Sequence, residues 1–142
     1  MSARAEIERL IVLYGFLLDD QRYDDWSWLF AEDGELVIGG VAHRGRDAIK
    51  AAVRGVQPPR PGKRFAGASL IELTSEDVAY AWTDMIAVMP SEAGPLGVTA
   101  INRYYDELHR VGGRWFFQQR VLQPPGKELP AGCRAVPASL PG

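Results

Sequence analysis

Leu10-Ile-Val-Leu-Tyr-Gly-Phe-Leu-Leu18, followed at once by Asp19, is the stretch on which the fold turns. Ile7, Leu10, Ile11, Tyr14, Leu17 and Leu18 recur at helical spacing, which predicts an opening helix with one stripe facing a partner. A second stripe, Val12, Phe16 and Asp19, also has helical spacing and points to another side. The latter half of the helix is therefore expected to be buried on more than one flank. Asp19 is out of place there. The C-terminal end of a helix carries partial negative charge and disfavours a carboxylate in its last turn. A carboxylate that is also buried is a candidate general acid or base.

The residues that follow predict a short helix around Asp25 to Phe30, capped by Asp20 or Asp24, and a turn at Glu32-Asp33-Gly34. A hairpin about Gly39-Gly40 spans Glu35 to His43. A further helix runs from Gly45-Arg46-Asp47 to about Arg54, with Gly55 just past its end. Gln57 to Gly62 reads as a stiff loop. Four strand-like segments come next: Phe65 to Leu73, Val78 to Met89, Val98 to Leu108 and Trp115 to Leu122. Helices first and consecutive strands later argue for an α+β fold with a mostly antiparallel sheet. Residues 1–122 are read as the domain. The Pro/Gly/Ala-rich stretch 123–142 is read as an irregular tail draped over the domain or a partner subunit.

Alternation along the strands groups their side chains. If Thr83 faces inward, Ala81, Met85 and Ala87 share its side. Tyr80, Trp82, Asp84 and Ile86 take the other, where Trp82 and Ile86 would be covered by a second subunit. Asn102 and Tyr104 share a side, and Phe116, Gln118, Arg120 and Leu122 alternate with Trp115, Phe117, Gln119 and Val121. Arg120 with Asp106 reads as a structural ion pair. Arg64 can bind an anionic ligand, neutralise Asp19, or stand exposed at a strand start.

The 142 residues fit one core, with 46% apolar and 24% charged residues, a formal charge of −2 and a pI of about 5.7. These values give no pull toward nucleic acid or an anionic membrane, and no apolar run is long enough to span one. A charged N-terminus and a single cysteine, Cys133, lead to an expectation of a cytoplasmic protein without a disulfide, structural metal or cofactor. His43 is kept as a possible catalyst and His109 is read as solvated.

Tyr14-x3-Leu18-Asp19, Tyr23-Asp24, Leu29-Phe30-x2-Asp33-Gly34 and Arg44-Gly45-Arg46-Asp47-Ala48-Ile49 stand in an order that resembles the SnoaL-like branch of the nuclear transport factor 2-like superfamily. Arg103-Tyr104-x-Asp106, Gly113-x-Trp115 and Arg120 extend the resemblance. It implies a cone-shaped α+β barrel, a curved sheet packed on the N-terminal helices around a deep pocket, and a homodimer. It also implies a small hydrophobic, ring-containing ligand. Asp19 matches the catalytic aspartate of scytalone dehydratase-like enzymes. Arg64 and Thr83 fall where such relatives carry histidines, and Asn102 falls near a pocket asparagine. Tyr14, Arg64, Thr83, Met85, Asn102 and Tyr104 are the expected ligand-binding residues. The implied activity is that of a cofactor-independent isomerase, dehydratase or cyclase. The alternatives are a ligand-binding or assembly module without chemistry, or an oxygenase small subunit.

Overall fold

The computed structural model describes residues 1–58, 60–90 and 94–138. Helix α1 (Ala3–Asp19) starts at Ser2, whose hydroxyl accepts the Ala5 N–H at 3.1 Å. It stops where Gln21 takes a left-handed φ of 58° and the Arg22 N–H returns to the Leu17 carbonyl at 2.9 Å. Its buried stripe is the expected one, Ile7 to Leu18. The second stripe is not buried as a whole. Val12 and Phe16 are 49% and 65% exposed, and only Asp19 is enclosed. That flank borders an open cavity instead of another element.

Helix α2 (Tyr23–Ser27) is shorter and earlier than the sequence suggested, and neither Asp20 nor Asp24 caps it; Arg22 holds the N-cap position without a side-chain bond. Strand β1 (Phe30–Ile38) already begins where that helix was expected to end. Glu32-Asp33-Gly34 is a bulge inside β1, not a turn, and the pairing register shifts between Phe30 and Glu35. A Cβ on Gly34 would lie 2.9 Å from the Phe117 carbonyl oxygen, so glycine is what lets the bulge close on its neighbour. Gly39 and Gly40, with φ of 59° and 78°, turn β1 into β2 (Val41–Arg44). Helix α3 (Arg46–Val56) runs through Gly55.

Strands β3 (Lys63–Leu73), β4 (Val78–Pro90), β5 (Leu96–Val111) and β6 (Arg114–Gln123) follow. The sheet order is β2-β1-β6-β5-β4-β3, which leaves β3 at an edge. β1 and β6 are parallel and every other pair is antiparallel. The result is a curved, open, mixed sheet with the helical layer on its concave face, an α+β architecture. Ala81, Thr83, Met85 and Ala87 are buried together on that face, as alternation required. On β6 the alternation breaks. A register shift opposite Glu107 and Leu108 adds a residue, so Trp115, Phe117, Arg120 and Leu122 all point into the core.

Trp82 does lie on the opposite face but is only 4% exposed, covered by its own chain and not left for a partner. The tail bends back across this face. The Trp82 indole N–H donates to the Arg134 carbonyl at 3.0 Å, and Arg134 stacks 4.4 Å from the Tyr80 ring centre while pairing with Glu72. Among the described residues no helix is long and apolar enough to cross a membrane.

Candidate functional site

A cavity of about 200 Å³ lies between α1 and the β3–β4–β5 part of the sheet. Ile11, Val12, Tyr14, Gly15 and Phe16 form its helical wall; Arg64, Phe65, Ala66, Met85 and Tyr104 form the sheet wall. Of the residues expected from sequence, it therefore brings together Tyr14, Arg64, Met85 and Tyr104. Asp19 stands behind Arg64 and does not line the cavity. Thr83 is 1% exposed and spends its hydroxyl on Ser69, 2.6 Å away. Asn102 sits beside Met85, its amide nitrogen 4.0 Å from the sulfur, and borders a different groove.

Asp19 is engaged through both carboxylate oxygens. One accepts the Arg64 guanidinium at 2.7 Å and the other accepts the Arg64 backbone N–H at 3.1 Å. The second guanidinium nitrogen donates to Gln57 at 2.9 Å, and the Gln57 amide donates in turn to the Val53 carbonyl at 3.2 Å. Gln57 at the end of α3 thus fixes the far side of Arg64. This chain of contacts ties the ends of α1 and α3 to the start of β3. It also answers the awkwardness of an acid at a helix C-terminus: a guanidinium supplies the positive charge that end prefers.

The floor of the cavity is aromatic. The Tyr14 ring lies 5.4 to 6.3 Å from those of Trp26, Phe30, Tyr104 and Phe117. Beneath it Arg120 and Asp106 form a buried two-pronged pair at 2.7 and 2.8 Å. The Arg120 guanidinium sits 3.7 Å from the Tyr104 ring centre and 4.2 Å from those of Tyr14 and Phe117, where its unpaired Nη1 meets π faces. Burial pushes the Tyr14 and Tyr104 hydroxyls above their ordinary range, so both stay neutral and able to donate. Tyr104 is 3% exposed, yet its hydroxyl makes no hydrogen bond among the described residues. It is not sealed into the packing as the Trp26 and Trp115 indole nitrogens are.

A larger groove of about 700 Å³ runs along the outer sheet face between Ile86, Ile101 and the Gln123–Lys127 segment. Asp84 and Arg103 in its wall pair with each other at 2.6 Å, and Lys127 adds a further charge on the tail side. His43 is half-buried on β2 and His109 pairs with Glu107 at 2.9 Å; neither borders the cavity. Cys133 lies half-buried within the tail itself, where burial and nearby Asp106 raise its thiol above the ordinary range. Sequence reasoning missed Gln57, which it read as loop, and Gly15 and Phe16, which it read as packed helix. Gly15 carried a signal: it is a glycine inside an otherwise strongly helical run.

The SnoaL-like domain model matches residues 1–121. Similar solved structures include a provisionally named scytalone dehydratase from Novosphingobium aromaticivorans, with 25% identity, 89% of this chain and 95% of that chain covered, and a TM-score of 0.77. ActVI-ORFA from Streptomyces coelicolor shows 16% identity over 87% and 98% of the two chains, with a TM-score of 0.77. The provisionally named beta subunit of an aromatic-ring-hydroxylating dioxygenase from Novosphingobium aromaticivorans shows 17% identity over 90% and 92%, with a TM-score of 0.71. The search of curated proteins returned no match. With a family model over residues 1–121 of the 142 and the same fold in these structures, the chain belongs to the SnoaL-like domain family.

Proposed function

We propose that this protein binds a small, largely apolar ring compound bearing a carbonyl, hydroxyl or carboxylate, with that oxygen directed at Tyr104 and Arg64. The observation that carries this reading is the Tyr104 hydroxyl: a neutral donor with no hydrogen bond among the described residues, on a side chain that lines an apolar cavity beside a guanidinium. The hydroxyl is open to the cavity, where a ligand oxygen would take up the donor. The cavity volume suits one or two fused rings. In this reading Asp19 holds Arg64 and takes no proton. Naphthol, measured by calorimetry, is expected to bind the wild type. Tyr104→Phe keeps the ring, removes the donor, and is expected to weaken binding about tenfold, the worth of one hydrogen bond of about 1.4 kcal/mol. Equal affinity in both proteins would defeat the assignment of Tyr104.

A second reading makes Asp19 the base of a cofactor-independent isomerase, dehydratase or cyclase. One observation favours it: the side-chain carboxylate is 3% exposed and among the described residues bonds only to Arg64, so a guanidinium that turned to a ligand oxygen would free one of its two oxygens. Turnover of a cyclic ketone that disappears in Asp19→Asn while binding persists would establish this reading over simple binding. A cytoplasmic homodimer, joined through the outer sheet face, belongs to the same proposal.

A further inference from the structure

Gly15 is a glycine with no structural reason to be one. It lies in the interior of α1, where glycine is the poorest helix former after proline. Its backbone is helical, not left-handed, so conformation does not demand it. A Cβ built there meets nothing within 4 Å, so close packing does not demand it either. What Gly15 does border is the cavity, with Val12 and Phe16 beside it.

The wall opposite is equally open. β3 is an edge strand, and α1 is pinned to it at two places. At one end Asp19 accepts the Arg64 N–H; at the other the Arg4 guanidinium donates to the Ile71 carbonyl at 3.2 Å. Both contacts go to backbone groups on the free edge of β3. Between them the strand presents Ala66, an exposed methyl facing the cavity across from the helix. The pairing register shifts just beyond it, between Ala66 and Ser69. The two pinned ends therefore bracket a slot whose lips are a glycine and an alanine, and whose rim, Val12, Phe16 and Phe65, is exposed apolar surface. Behind the slot stands the Tyr104 hydroxyl, which makes no hydrogen bond among the described residues.

We infer that the ligand reaches the cavity through this slot between α1 and the edge of β3, and that its ring lies across the helix backbone at Gly15, which sets the upper size of ligand the site accepts. The inference rests on the binding reading above and deepens it. A side chain at residue 15 would occupy the space the ring needs. Phe16 and Phe65 then supply aromatic surface at the rim for the part of the ring that remains outside.

Gly55 provides the control. It too is helical, and a Cβ there also meets nothing within 4 Å, but it lies in α3 and does not border the cavity. Gly15→Leu and Gly55→Leu are both expected to raise the melting temperature, because each replaces a poor helix former. Only Gly15→Leu is expected to weaken naphthol binding, by tenfold or more, and to weaken phenol binding less. Gly15→Ala should fall between wild type and Gly15→Leu. If the wild type binds naphthol and Gly15→Leu binds it equally well, the slot is wrong while the binding reading stands. If the wild type binds neither probe, the binding reading falls and takes the slot with it. A Gly15→Leu protein that melts below wild type would show that Gly15 has a packing role, which also overturns the inference.

Discussion

At the scale of single residues, Asp19 changes meaning once its surroundings are known. Position alone made it a lone carboxylate at an unfavourable helix end. The structure gives it one partner, Arg64, and makes it the clasp between α1 and β3. Removing one member of an enclosed ion pair strands the other. Asp19→Asn is therefore expected to destabilise the fold by about 2 kcal/mol, less than for a fully enclosed pair because Arg64 keeps Gln57 and some solvent contact. Thermal melts of Asp19→Asn, Arg64→Met and the double variant should show the double less destabilised than the sum of the singles. Additive losses would mean the pair contributes nothing as a pair. The sequence had left three fates open for Arg64, because contact between residues 45 positions apart depends on how α1 crosses the edge strand. Tyr104 was legible from alternation, but which groups come within reach of its hydroxyl depends on how the helices cross the sheet.

At the scale of elements, the strands were read well and the short pieces poorly. β3 to β6 appear within a few residues of their expected bounds, because long apolar alternation and glycine turns leave little choice. The Glu32-Asp33-Gly34 bulge was read as a turn since both use the same residues; only the approach of Phe117 separates them. The shift in β6 could not be seen by counting, since one extra residue reverses every later side chain. That reversal is what sends Arg120 into the core to meet Asp106 on β5. The pair is fully enclosed and two-pronged. Asp106→Ala is expected to cost about 3–5 kcal/mol, by leaving a guanidinium buried without its counter-charge. Asp106→Leu combined with Arg120→Met should recover most of that loss in urea melts. A double variant as unstable as Asp106→Ala would mean the pair supplies more than mutual neutralisation.

At the scale of the molecule, the outer sheet face is divided. The tail covers Tyr80 and Trp82, and this self-coverage was invisible to the periodicity that marked Trp82 as an interface residue. Ile86 and Ile101 stay substantially exposed on the remainder of this face. If the proposed homodimer uses this face, a charge at Ile86 should disrupt it where one at Trp82 would chiefly detach the tail. Light scattering is expected to give twice the 15.7 kDa chain mass for wild type and a monomer for Ile86→Glu. A monomeric wild type at micromolar concentration would remove the homodimer.

The concave face carries the central claim, that the cavity under α1 holds a ring with its oxygen at Tyr104. Crystals of the protein grown with a bromonaphthol test it most directly, because bromine is located by anomalous scattering independently of the fitted ring. The expected result is one strong peak between Gly15 and Met85, with the naphthol oxygen within hydrogen-bond distance of the Tyr104 hydroxyl. A peak confined to the outer groove between Ile86 and Ile101, with the cavity under α1 left without the ring, would contradict it.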